Sequence, residues 1–287
     1  MARFTAVVNP AAGRGTGAAI AARVAAAMPA GAVEVVHSID HGHAHELAAQ
    51  ACAQGRTVLA VGGDGHAGCV AGAVIAGGGV LGLVPAGRGN DFARQLGLPV
   101  DPEALAAVFQ AGRTRTVDVL TCDGRVVLGS VYAGVDSVAS AIVNARPRVP
   151  GPLVYPYAAV RVLLTFRPAA YRLAVDGEVW AERGYTVVIA NSGYYGGGMH
   201  IVPTAAVDDG MLDVLLIRDS SRWNLIASIR EVYAGTHLRR TDIEVRRARV
   251  VELAADRPVP VHADGAPVGD GPVRVAVRPA ALTLLSP

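Results

Sequence analysis

The segment 58–94, VLAVGGDGHAGCVAGAVIAGGGVLGLVPAGRGNDFAR, constrains the fold more than any other. A short apolar run (Val58–Val61) meets the glycine-acid turn Gly62-Gly63-Asp64-Gly65 and then an Ala/Val-rich stretch of helical character. Gly77–Gly79 breaks that helix. A second apolar run (Val80–Val84) follows and ends in the loop Pro85-Ala86-Gly87-Arg88-Gly89-Asn90-Asp91. Strand, glycine turn, helix, strand, glycine loop is the grammar of an α/β domain with a ligand site at the carboxyl ends of its strands. Glycines admit positive φ and let backbone N–H groups approach phosphate oxygens. An Asp in each turn adds the prospect of a metal-bound nucleotide. Two tight turns of an ordinary α/β sheet would look the same by glycine content alone.

Composition narrows the chemistry. Hydrophobic residues at 52% against 17% charged require a folded core, and 287 residues suffice for one large domain or two modest ones. All 26 basic residues are arginine, and no lysine is present. That excludes a Walker-type P-loop, a lysine-dependent protein kinase site and Schiff-base chemistry. Phosphate charge must instead be met by arginine, backbone amides, helix N-termini or a metal. A net charge of +2 and the lack of a basic tract argue against a nucleic-acid partner. Cys52, Cys69 and Cys122 are widely spaced, as expected in a reducing cytoplasm. Asn9-Pro10 arrives before a signal-peptide core could form, so a cytoplasmic location is expected. Ala67–Ala86 is long and uncharged, but Gly77–Gly79 and Pro85 would break a spanning helix.

Along the chain, Phe4–Val8 predicts a strand, Asn9–Gly15 a glycine loop and Thr16–Met28 a helix. Gly13-Arg14-Gly15-Thr16-Gly17 matches the dinucleotide GxGxxG only in part. Arg14 is a candidate phosphate ligand or a solvated loop arginine. Val33–Val36 predicts a strand, with Ser38 either near a nucleotide or capping the helix Ala44–Gln54. His37, His41, His43 and His45 crowd that junction, and a polar turn accounts for them better than a metal site. Asp101–Ala111 predicts a helix with Pro102 in its first turn.

Past Arg113 the pattern turns to strands: Thr116–Cys122, Arg125–Tyr132, Tyr171–Asp176, Tyr185–Asn191, Leu212–Ile217, Ile243–Leu253 and Val273–Val277. Asp123-Gly124, Asp176-Gly177 and Asp264-Gly265 read as hairpin turns. Helices are expected only near Ser137–Val143, Leu153–Phe166 and Arg222–Thr236. The expected architecture is an α/β domain over residues 1–123 followed by a β-rich domain over 124–287. Asp208-Asp209-Gly210 with Asp213 suits a hard cation or a plain hairpin turn. Arg146–Arg167, with its tyrosines and leucines, and Arg239–Arg249 are candidate membrane-facing segments, each arginine there contributing ~1 kcal/mol on an anionic surface. A packed helix and a solvated strand edge explain them as well.

In order, Asn9-Pro10…Gly13, Gly62-Gly63-Asp64-Gly65, Gly87…Gly89-Asn90-Asp91-Phe92-Ala93-Arg94, Gly134-Val135-Asp136, Gly196-Gly197-Gly198-Met199, Asp208-Asp209-Gly210-Met211-Leu212-Asp213 and Asp264-Gly265 resemble the diacylglycerol kinase catalytic family. The likeness extends to its bacterial lipid-kinase branch, related to the sphingosine and ceramide kinases. It implies an NAD-kinase-like α/β domain, a C-terminal β-sandwich, and a nucleotide in the cleft between them. It also implies transfer of the ATP γ-phosphate to a lipid hydroxyl with Mg²⁺, diacylglycerol being the default acceptor, and a visit to the membrane surface. A homodimer is left open. By that resemblance Asn9, Pro10, Gly13, Arg14, Ser38, Gly62, Gly63, Asp64, Gly65, His66, Gly68, Arg88 and Asn90 would hold ATP. Asp64, Asp91, Asp136 and Asp264 would form the acidic catalytic network. The Ala206 and Met211 carbonyls with the Asp209 carboxylate would bind a structural Mg²⁺.

Four positions depart from the family pattern. His66 stands where Thr follows the glycine-acid turn, Cys69 where an acid or amide is usual, and Arg88 where the next loop has Thr. Ala266 replaces the Glu that the family uses as general base. Loss of such a base commonly costs ~10²–10⁴-fold in rate, so Asp64 or Asp264 must take the proton, or the protein binds ligands without turnover.

Overall fold

The computed structural model describes residues 3–145, 149 and 154–287. At the N-terminal end the glycine breaks translate into alternating strands and helices: β1 (Phe4–Val8), α1 (Gly17–Ala26), β2 (Val33–His37), α2 (His41–Ala53), β3 (Thr57–Gly62), α3 (Asp64–Ala76) and β4 (Val80–Pro85). The strands are parallel in the order β4-β3-β1-β2. From β1 the chain steps outward to β2 and then returns to β1's other side as β3. Ligands of open α/β sheets bind outside the strand ends at such a reversal, and here the Asn9 loop and the Gly63-Asp64 turn leave those ends side by side. Short α4 (Asp91–Gln95) and α5 (Pro102–Ala111) complete the layer; Pro102 opens α5 and Asp101, expected inside the helix, is its cap.

Some boundaries differ from the sequence expectation. α2 begins at His41, three residues early, because the Asp40 carboxylate accepts from His43 N–H. Ser38 is therefore not the cap; its hydroxyl donates to Val8 O within the strands. The 62–65 turn is in fact the start of α3, which carries Asp64 as its first residue.

The second half begins with β5 (Thr114–Cys122), β6 (Arg125–Val127), β7 (Ser130–Gly134), α6 (Val135–Asn144) and α7 (Val154–Thr165). It continues through β8 (Ala169–Val175), β9 (Glu178–Ala190), β10 (Tyr194–Tyr195), β11 (Met199–His200), β12 (Leu212–Arg218), α8 (Arg222–Ala234), β13 (Ile243–Ala248), β14 (Val250–Ala255), β15 (Val261–Ala263), β16 (Ala266–Gly269) and β17 (Val273–Leu285). This is an antiparallel β-sandwich domain with its own core, including Tyr171, Trp180, Ile189 and Leu253. The turns 123–124, 176–177 and 264–265 each have positive φ at both central residues, the geometry of tight hairpins.

β17 joins the two units. Its first half pairs with β14, its last residues run parallel to β4, and β5 follows it along both halves. Where the register shifts, Ala280 takes φ 48° and its N–H donates to buried Asp118, which also accepts from Gly210 N–H. The chain thus returns to the first domain after completing the second. Among the described residues no helix is long and apolar enough to cross a membrane; 67–86 is α3, a turn and β4.

Candidate active site

Two glycine turns come into contact at the floor of the site. A Cβ on Gly87 would lie 2.5 Å from Gly63 Cα, so only glycine permits the approach. Asn90, itself at φ 54°, locks this loop by accepting from Gly87 N–H (2.8 Å) and donating to Gly87 O (3.0 Å). Gly13, at φ 57°, abuts Ala86 in the same way: its Cβ would lie 2.6 Å from Ala86 O. The three loops pack together into one floor.

Three carboxylates then tie the loops together. Asp64 sits at the start of α3 and accepts from Asp91 N–H (3.2 Å) and Phe92 N–H (3.0 Å), so it also caps α4. Asp91 accepts from Gly197 N–H (2.9 Å) and Gly198 N–H (2.7 Å), fastening α4 to the glycine loop of the second domain. Asp264 accepts from Leu128, Gly129 and Ser130 N–H at 2.8, 2.9 and 3.1 Å. Burial, and then the charge of Asp64, push its carboxyl up to about 7 against the pull of those amides. Burial likewise raises Asp91, opposed by the Gly197 amide. Asp136, in the first turn of α6, accepts from Thr186 Oγ1 (2.7 Å), and burial raises it as well.

These groups open onto one cavity of about 740 Å³. Its polar end is lined by Asn9, Gly63, Asp64, Gly65, His66, Arg88, Asp91 and Asp264. Arg88 is exposed there, and among the described residues no carboxylate pairs with it. The other end is apolar. α6 contributes Val135, Ala139 and Val143, α7 Ala158 and Val162, and α8 Leu225, Ile229 and Tyr233. Each set is spaced at i, i+4, which places it on one helix face. Asp136 and Ser140, also on α6, line the cavity as well.

Of the residues expected from the sequence to hold nucleotide, Pro10, Gly13, Ser38, Gly62, Gly68 and Asn90 do not line the cavity. Gly13, Asn90 and Ser38 shape the floor from beneath, and Gly68 lets α3 approach Val126 O (3.1 Å for an added Cβ). The Arg14 side chain lies outside the described structure. His66 is 3% exposed, and its Nε2–H donates to Val7 O. Burial lowers its pKa, so the ring is neutral and serves to pack the α3 terminus.

A metal fits some of these groups and not others. Among the described residues each Asp64 oxygen accepts one N–H, and the side chain lines the cavity with acceptor capacity to spare for a Mg²⁺ arriving with phosphates, which needs only one or two carboxylates. The Asp209 site does not fit. Its carboxylate accepts from Met211 N–H and pairs with Arg247, while Arg115 holds Asp208 at 2.6 Å. Arginine therefore neutralises the turn that Ala206, Asp209 and Met211 would offer a cation. Among the described residues no cluster of three His, Cys, Asp or Glu is arranged for a metal.

Comparison with known proteins agrees with this architecture. The family model "Diacylglycerol kinase catalytic domain" matches residues 3–122, and "YegS C-terminal NAD kinase beta sandwich-like domain" matches 129–286. A diacylglycerol kinase of Mycobacterium tuberculosis is 34% identical over 304 residues, covering 99% of this chain and 95% of the relative. A "Probable lipid kinase YegS-like" of Pseudomonas putida is 29% identical and covers 86% of this chain and 82% of its own length. The crystal structure of a diacylglycerol kinase from Bacillus anthracis str. Sterne superposes with a TM-score of 0.72 at 20% identity, covering 99% and 97% of the two chains. That likeness concerns the fold, whereas the family models and the M. tuberculosis relative decide the family. The chain belongs to the diacylglycerol kinase catalytic family, in its bacterial YegS-like lipid kinase branch.

Proposed function

We propose that this protein transfers the γ-phosphate of ATP to the hydroxyl of a membrane lipid, with diacylglycerol as the default acceptor and phosphatidic acid as product. The observation that carries this reading is the cavity itself, which joins an amide- and acid-lined floor to an apolar three-helix chamber. A nucleotide's phosphates suit the first and acyl chains the second. Asn9, Gly63 and Gly65 offer backbone to the phosphates at the α3 N-terminus, where the helix dipole favours anions, and Arg88 adds a cation. A Mg²⁺ held by Asp64 would offset the repulsion between phosphates and carboxylates.

The acceptor hydroxyl enters from the apolar side, past Asp136 and Ser140. Asp264 is the proposed base: its Oδ2 accepts a single N–H and keeps a lone pair, and its pKa of about 7 suits proton transfer near neutrality. The hydroxyl oxygen bonds to the γ-phosphorus as its proton passes to Asp264. The bond from that phosphorus to the bridging oxygen breaks, and ADP leaves. Positioning and charge neutralisation do most of the work in such transfers.

Ala266 supports a second reading, a nucleotide- and lipid-binding protein without turnover. It faces the cavity with its Cβ near Gly65, where the family's Glu would stand. Phosphate transfer to lipid by the native protein, lost in D264N, is expected under the kinase reading. ATP binding without transfer, with activity appearing only in A266E, would establish the second reading instead.

A further inference from the structure

We propose that the outward face of α8 is the surface by which the protein docks on an anionic lipid leaflet. The helix is anchored from below by Leu225, Ser228 and Val232, all buried. Its other face is bare: Trp223 is 79% exposed, Tyr233 55%, Ile226 42% and Ile229 41%. Elsewhere among the described residues the large exposed apolar side chains are Val35, Ile39, Val100, Val160 and Val179, no two of which share a helix or strand. At 100° per residue these four span about 120° of the helix, and Arg222 and Arg230 fall in the same sector. No acid lies in it. Glu231, the helix's acid, is on another side and pairs with Arg240.

That combination identifies the partner. Aromatic rings with an apolar body and a polar edge sit at the headgroup level of a bilayer, and arginines beside them meet lipid phosphates. A second copy of this chain would bring the same two arginines against each other. At 13 residues the helix is too short to span and lies in the interfacial plane. Ile229 and Tyr233 belong both to this face and to the cavity lining, so the stripe leads from Trp223 at the surface to the mouth of the apolar chamber. A bound leaflet would therefore lie directly over the opening through which acyl chains enter. The link to acyl-chain entry rests on the lipid-kinase reading, but docking itself does not.

Trp223 supplies its own probe, because Trp180, the chain's other tryptophan, is 5% exposed beneath Arg246. Native protein mixed with vesicles of phosphatidylcholine and phosphatidylglycerol is expected to co-sediment with a blue shift of tryptophan emission. With phosphatidylcholine alone it should bind at least ~10-fold more weakly. W223S/I226S, which replaces no cavity-lining residue, should lose at least ~10-fold in partitioning with unchanged circular dichroism. R222Q/R230Q should erase the preference for the anionic lipid. Unchanged sedimentation of W223S/I226S overturns the proposal, as does failure of the native protein to bind. A shift of the variant from dimer to monomer on sizing, without vesicle binding by the native protein, would assign the face to a second copy and overturn it equally. Turnover is read separately, on short-chain diacylglycerol in detergent micelles. Vesicle binding without turnover would fail the kinase reading and leave the docking surface standing.

Discussion

Asp264 and Asp64 are carboxylates in one cleft with different proposed roles, Asp264 as base and Asp64 as metal ligand. Asp264 is raised to about 7 by burial and by its neighbour's charge, and it must be ionised to accept a proton. Turnover should therefore rise with pH through about 7. D264N should lower kcat by ~10²–10⁴-fold and remove that limb from the pH profile. The native fold also holds this proton more tightly than the unfolded chain does. Stability should accordingly decline as pH rises from about 4 toward 7, and chemical denaturation of D264N should show a shallower decline. Gly87 gives a steric test. G87A would force Gly63 aside and cost ~1–3 kcal/mol in denaturant unfolding, with weakened ATP binding. Asp64, Asp91 and Asp264, singled out in the sequence, all line the cavity. The sequence did not reveal that their carboxylates staple loops, because hydrogen-bond partners 27 to 136 positions away leave no local pattern.

At the scale of elements, regular patterns were legible and interrupted ones were not. α5 was readable from Pro102 in its first turn, and the hairpins from their Asp-Gly pairs. The expected strand 125–132 is two strands, because the chain turns at Leu128 and Gly129 to present its N–H groups to Asp264. The expected strand 243–253 is likewise split, between Ala248 and Val250. β17 was read as ending at Val277, since Arg278-Pro279-Ala280 breaks its alternation at the bulge. β15 and β16 are too short to register as runs. The membrane-facing expectation for 146–167 falls partly outside the described residues, and that for 239–249 loses Arg240, Arg246 and Arg247 to ion pairs within the protein. The apolar half of the cavity was invisible for a simpler reason: Val135, Ala139 and Val143 at helical spacing look like any core stripe. Filling it tests its role. A139F should raise the KM for a long-chain lipid ~10-fold or more while leaving the KM for ATP unchanged, measured with each substrate varied in turn.

For the whole molecule, the decisive design is that two domains share one cleft while being tied across it by β17, β5 and the bond from Asp91 to Gly197 and Gly198. The tie links floor and chamber directly across the cleft. D91A would leave two amides without their acceptor at a cost of ~1–3 kcal/mol. It should increase hydrogen exchange at 193–200 before any change in the sheet. The central claim is that this single cavity brings nucleotide and lipid together for phosphoryl transfer. Its most direct test is the incubation of purified protein with γ-labelled ATP, Mg²⁺ and a panel of diacylglycerol, ceramide and sphingoid lipids, with D64N alongside. The account predicts labelled lipid phosphate from at least one acceptor, diacylglycerol first, and none with D64N. Absence of labelled product from every lipid, with ATP demonstrably bound, would contradict it.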